Sequence, residues 1–367
     1  MTLPANRFAR YLLPGLAFKA VIIGGGYATG RELAEFFLPS GARGGVLGML
    51  VAAAIWSLVC ALTFLFARRN RARDYRAFFQ ALLGPAWGIF EIPYFLFLII
   101  ILAVFGAAAG AIAQALFGWP PIAGTLALVS LIALFTAFGD GSVEALFKAV
   151  SLLLYSVYAV FLLLAITRFG PKIAQAFADP AIGPGWGPAG LTYAGYNLVG
   201  AVAILPVLRH LRSDRDAVIA GVLAGPLAIL PALMFFVCMA AWPETGALTL
   251  PSDFLLGRLD MPPLRWVFQA MIFAALLESG SGCVHAVNQR IAAVRPLSWR
   301  LRMTCSLILL VGAVFLADRV GLVRLIAQGY RALAWAFLAV YVAPLLTLGA
   351  WRLTRRHISI EAPDASP

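Results

Sequence analysis

The chain has 367 residues, of which 62% are hydrophobic and only 12% charged, and its net charge is +12. Soluble domains are about a quarter charged, so this composition excludes a soluble enzyme and makes lipid the solvent. The arginines fall in short runs between apolar segments and form no continuous basic domain, which argues against nucleic acid as a partner.

Apolar stretches of about 20 residues recur along the length, each enough to cross about 30 Å of hydrocarbon. In chain order, hydropathy and helix breakers predict helices at about 12–38, 44–67, 86–116, 120–138, 143–167, 190–211, 216–241, 263–290, 301–317 and 321–350. The first apolar segment contains Pro14, Lys19, Arg31 and Glu32, so it reads as a membrane helix and not as a cleavable signal peptide.

Asp74 to Pro85, after the second predicted helix, has a capped amphipathic pattern stopped by Gly84-Pro85. Ser252 to Pro262, after the seventh, is an element of the same kind. One on each membrane face is the expectation for a single transmembrane domain over 1–367, built as two five-helix halves, about 8–167 and 190–350, of inverted topology.

Cations concentrate in alternate loops, among them Arg7 and Arg10, the run from Arg68 to Arg76, Arg209 to Arg215, Arg290 to Arg302, and Arg352 to Arg356. The positive-inside rule then places both termini in the cytoplasm and requires an even number of helices. A bias to Ala, Leu and Arg suits a multi-pass protein of a bacterial inner membrane. Cys60, Cys238, Cys283 and Cys305 all lie in apolar segments, where they read as small packing residues.

The first helix carries Gly24-Gly25-Gly26-Tyr27-Ala28-Thr29-Gly30. Each glycine costs roughly 1 kcal/mol relative to alanine in a helix, so the backbone is predicted to unwind there. Unwound backbone at membrane depth is tolerated where it is buried in protein or lines a wet cavity, which marks a binding site. Its free amides, at the positive end of the second half-helix, suit a carboxylate, and the carbonyl end of the first half-helix suits a cation or an ammonium group. The competing reading is a glycine seam for close helix packing.

In the sixth predicted helix, Gly195, Asn197 and Gly200 surround Tyr196 and predict a second, milder break. Broken segments at corresponding places in two halves are the sequence mark of a transporter site. Backbone groups of Gly24, Gly25, Gly26 and Tyr27, together with Tyr196 and Asn197, are therefore the candidates for holding a solute.

The segment from Gly24 to Glu32, with Glu35-Phe36-Phe37 following, resembles the glycine-aromatic-small-Gly-Gln-Glu signature of YkvI-like bacterial membrane proteins. That family is similar to a branch of the amino acid, polyamine and organocation transporters. Resemblance to the superfamily implies an all-α fold of about ten transmembrane helices, a LeuT-like 5+5 inverted repeat with helices 1 and 6 broken, and substrate held between helices 1, 3, 6 and 8. Arg31 stands where the signature has glutamine, a departure that bears on local charge balance and on the coupling ion.

Glu278 lies midway along the eighth apolar span, in Leu277-Glu278-Ser279-Gly280-Ser281. An ionisable group at that depth is a functional candidate by default. The resemblance implies a sodium ion between helix 1 and helix 8, at Glu278, Ser279 or Ser281, and a buried carboxylate offers a proton carrier instead. The structural alternative for Glu278 is a charge partner for Lys19 or Arg31. Arg31 and Glu35 stand one helical turn apart and are expected to pair, which leaves Glu32 as the remaining candidate for the coupling site.

These readings predict a secondary active transporter of a small solute, an amino acid or related amine by the resemblance, coupled to Na+ or H+ by alternating access. Its partners are that solute and the lipid bilayer, with no cofactor beyond the coupling ion and nothing in the sequence to specify an oligomeric state. A channel, or a membrane sensor or scaffold with a transporter-like fold, is the alternative. No nucleophile-base arrangement, metal spacing or phosphate loop is present, so an enzyme is not expected.

Overall fold

Helix ends follow local side-chain chemistry. The computed structural model describes residues 7–22, 27, 29–137, 140–294 and 299–358, and all regular structure among them is helical. Short α1 (Arg7–Tyr11) leads into α2 (Leu13–Ile22), and the chain resumes as α3 (Arg31–Phe36). Then come α4 (Gly41–Arg69), short α5 (Tyr75–Leu83), α6 (Glu91–Phe117), α7 (Pro121–Ala137) and α8 (Asp140–Ala178).

The second part of the chain repeats this order. Helices α9 (Trp186–Asn197) and α10 (Val199–Ala203) run into a 3-10 segment, Leu205–His210, and are followed by α11 (Asp214–Ala240). Short α12 (Pro251–Leu259), then α13 (Pro262–Val294), α14 (Trp299–Val320) and α15 (322–358) complete the chain. Helix α15 includes wide π-type turns at Leu325–Tyr330, Leu338–Val342 and Leu345–Gly349. Counting α2 with α3 as the first helix, and α9 with α10 as the sixth, these segments correspond to the predicted ones.

Among the described residues, six stretches are long and apolar enough to cross a membrane by length and composition: 31–69, 75–117, 156–178, Asp214–Ala240, 262–285 and 322–354. Leu13–Ile22 and 121–136 are apolar but shorter.

The central contact is between α4 and α11, the second and seventh helices. A Cβ at Gly221 would strike the Ala61 backbone and one at Gly225 would strike the Ala53 carbonyl, so these glycines let the two helices meet backbone to backbone. Packing pairs then recur at an offset of five helices. The first packs on the seventh as the sixth packs on the second, the fifth on the eighth as the tenth on the third, and the eighth on the fourth as the third on the ninth.

Caps and ion pairs close the ends. Asp74 accepts the Ala77 amide at 2.8 Å to start α5, and Ser213 with Asp216 forms a reciprocal capping box on α11. Arg10 holds Asp216 through two bonds of 3.0 and 2.6 Å, while Arg68 and Arg69 both pair with Asp214, tying α1 and α4 to the start of α11. At the other end of α11, Arg265 grips Asp253 with two bonds of 2.7 Å and Gln269 adds one of 2.9 Å, joining α12 to α13.

Two boundaries depart from expectation. Gly170-Pro171 was expected to lie in a connection beginning near 168, yet α8 continues through Pro171 to Ala178. A proline removes one backbone bond, and so near a helix end the freed carbonyl is within reach of water. The sixth helix is interrupted at a single residue, Leu198, which keeps right-handed helical torsions (φ −63°, ψ −19°).

Candidate functional site

The interruption of the first helix ends at Gly30, whose φ of +77° is a left-handed conformation that a side chain would strain. A Cβ there would also stand 2.8 Å from the Phe235 ring. Its amide donates to the Tyr27 carbonyl at 3.0 Å, so one lone pair of that carbonyl is taken within the turn. The Thr29 hydroxyl accepts the Arg31 amide at 3.2 Å, and the Thr29 carbonyl accepts the Ser252 amide at 3.0 Å. The turn is thereby fastened to the start of α12. Gly24, Gly25 and Gly26, expected to hold the solute through their backbone, lie outside the described residues.

Helix α3 sorts its charged residues by direction. Arg31 is 4% exposed and donates to Glu35 at 2.6 Å and to the Gly246 and Leu248 carbonyls at 2.7 and 2.9 Å. It therefore anchors the turn after α11 onto α3. Glu32 points elsewhere: it is 5% exposed and accepts the Tyr196 hydroxyl at 2.6 Å. Among the described residues it has no ion pair.

Tyrosines surround this carboxyl group. The Tyr196 ring lies 4.4 Å from Tyr330 and 5.7 Å from Tyr193, centroid to centroid, and Phe36 is 5.9 Å from both Tyr193 and Tyr196. Tyr193 is fully buried and its hydroxyl has no hydrogen-bond partner among the described residues. Tyr27 is also buried, its ring 6.1 Å from Tyr158 of α8. Asn197 turns its amide nitrogen to the Tyr193 carbonyl, 3.0 Å away on its own helix, rather than toward the first helix.

Neither sixth-helix glycine is simply a break. A Cβ at Gly195 would stand 3.1 Å from that of Ala334 on α15, and one at Gly200 would meet Val21 of α2 at 3.2 Å. Both admit a neighbouring helix.

On α13, Ser281 is fully buried and its hydroxyl has no partner among the described residues, while Glu278 and Ser279 are half-buried. Three residues apart, Glu278 and Ser281 share a helix face, and Ser279 is rotated by about 100° from Glu278. Arg31, one of the charge partners considered for Glu278, is instead bound to Glu35 and the Gly246 and Leu248 carbonyls. No hydrogen bond joins this segment to α3 among the described residues, so the structure brings Glu32 together with Tyr196 and leaves Glu278, Ser279 and Ser281 as a separate group.

Tyr193 and Tyr330 were not anticipated. The spacing of Tyr193 and Tyr196, three apart on one helix face, was the available signal for the first. For Tyr330 it was the polar interruption Gln328-Gly329-Tyr330 in an apolar span, where the wide π-type turn now sits.

A first helix interrupted between Ile22 and Arg31, a milder interruption in the sixth, and packing repeated at an offset of five helices define a LeuT-like fold. Solved structures agree on that fold. A Na+-coupled sialic acid symporter in a substrate-bound, outward-open state superposes with a TM-score of 0.61 at 16% identity, covering 95% of this chain and 78% of the other. MhsT in complex with L-phenylalanine gives 0.57 at 16% identity, covering 94% and 87%. In sequence, the chain is 22% identical over 341 residues to the uncharacterised membrane protein YkvI of Bacillus subtilis (strain 168), covering 90% of this chain and 94% of that protein. No family model matches.

Proposed function

We propose that the protein is a secondary active transporter that carries a small solute, an amino acid or related amine, by alternating access, driven by Na+ or H+. The observation that carries this reading is the buried meeting of the two interrupted helices, with Glu32 of the first bonded to Tyr196 of the sixth. Discontinuous helices facing each other across repeat halves are where transporters of this build hold their substrates.

Solute would sit along the backbone of Gly24, Gly25, Gly26 and Tyr27 and against Tyr196, with Asn197 contributing only what its own helix leaves free. The coupling ion would be carried at Glu278 with Ser279 and Ser281, or at Glu32. The hydroxyl of buried Ser281, without a partner among the described residues, supports a ligand at the former group. The sialic acid neighbour is Na+-coupled and the MhsT structure holds L-phenylalanine, which supports ion coupling and an organic solute. Packing pairs offset by five helices support the two halves, about 8–167 and 190–350, as the bodies related by inverted topology.

Thermal-shift stability of the detergent-purified protein against L-amino acids and amines, with sodium or potassium at two pH values, tests this. A solute-dependent rise that requires sodium or acid conditions, and is lost in Glu278→Gln or in Glu32→Gln, is the expected result. Folded protein that responds to no solute and no ion would count against transport.

A further inference from the structure

We propose that Glu32 is a proton-carrying residue, holding a proton while the meeting point of the first and sixth helices is closed to water and releasing it when that point opens to water. This deepens the transporter reading above and rests on it for its place in a transport cycle.

The argument starts from hydrogen-bond capacity. An ionised carboxylate offers about four lone-pair sites, and one withdrawn from water must fill them with donors or face a cation. Glu32 is 5% exposed, and its described partner is one neutral donor, the Tyr196 hydroxyl at 2.6 Å. Such surroundings accept the neutral acid and reject the anion.

Among the described residues, the elements in main contact with α3 bring no cation to Glu32. On α3 itself, Arg31 is turned to Glu35 and to the Gly246 and Leu248 carbonyls. From α9 come Tyr193 and Tyr196, and from the first π-type turn of α15 comes Tyr330. The Pro243–Ala247 turn carries Glu244, half exposed and 4.0 Å from Arg258 of α12. Asp253 of α12 is bound to Arg265, and α11 contributes buried Cys238. None of these neutralises Glu32.

The same ring of groups provides the means of exchange. Tyr193, Tyr330 and Phe36 pack against the ring of Tyr196, whose hydroxyl meets the buried carboxyl group. The Glu32–Tyr196 bond joins the first helix to the sixth inside one packed bundle, so opening the site beside that bond to solvent brings water to the carboxyl group. Hydration then favours the anion, and the proton leaves the carboxyl oxygen for water. Because closure favours the protonated form, proton binding favours closure by the same factor, which is the linkage a coupling ion requires.

Infrared difference spectra between acid and alkaline pH, on wild-type protein in liposomes, read the carbonyl stretch of a protonated carboxylic acid directly and need no substrate. The expected result is a titrating band that is absent in Glu32→Gln, shifted in frequency in Tyr196→Phe, and retained in Glu278→Gln. A band unchanged in a folded Glu32→Gln overturns the proposal. Should that variant fail to fold, an unshifted band in Tyr196→Phe overturns it.

Uptake of a radiolabelled L-amino acid panel separates this proposal from the one beneath it. Uptake driven by an inward pH gradient, falling about tenfold or more in Glu32→Gln, supports both. Sodium-driven uptake indifferent to pH, with no titrating Glu32 band, leaves the transporter and removes the proton site. A titrating Glu32 band without uptake of any solute retains the proton site and counts against transport.

Discussion

At residue scale, backbone geometry and hydrogen-bond demand single out Gly30 and the Glu32–Tyr196 pair. Gly30→Ala places a side chain in a left-handed conformation and against Phe235, so it should destabilise the protein by about 2 kcal/mol or more, read as a lower melting temperature in detergent. Tyr196→Phe withdraws the described donor to a buried carboxyl group, a loss of about 1–2 kcal/mol in the same measurement. Asn197→Ala should cost less, about 0.5–1 kcal/mol, because its bond is local to α9. The pairing of Arg31 with Glu35, and the turn of Glu32 away from Arg31, were legible from helical periodicity, since residues four apart share a face and adjacent ones do not. The approach of Tyr330 to Tyr196 was not, because it joins segments far apart in the chain and depends on a wide turn in α15.

At the scale of elements, the start of α11 is the best-specified helix end. Ser213→Ala removes the capping bond to Asp216 and should cost about 1 kcal/mol, checked as a fall in thermal stability that Ser213→Asp largely avoids. Gly221→Leu presses a side chain into the Ala61 backbone, and the two helices have no room to part while Gly225 holds them on Ala53. The expected outcome is loss of monodisperse protein on size exclusion, where Ser57→Ala remains folded. Consecutive glycines announced the first break because several adjacent losses of helix propensity accumulate at one place. Spaced glycines in the sixth helix were ambiguous, and tertiary packing resolved Gly195 and Gly200 into close-approach positions against Ala334 and Val21.

For the whole molecule, alternation of cationic loops leads us to propose that both termini face the cytoplasm. A green fluorescent protein fused after Pro367 should fluoresce in cells, and alkaline phosphatase at the same point should be inactive. Phosphatase fused in the connection after α8 should be active. The reverse pattern would invert the orientation and would move the Arg10, Arg68 and Arg69 ion pairs with α11 to the outer side.

The sequence by itself determined that the chain lies in lipid, where its helical segments run, and that the first helix is broken. Each is a local property: hydropathy, helix propensity and capping act within a few turns of the chain. Which groups meet was decided by the tertiary structure alone. Glu32 became distinct from Glu278 only when the sixth helix placed Tyr196 against it, and the carbonyls of Gly246 and Leu248, which hold Arg31 beside its expected partner Glu35, came only with the turn after α11. Such choices depend on the distances between helices remote in the chain, which α4 and α11 set through the backbone contacts of Gly221 and Gly225.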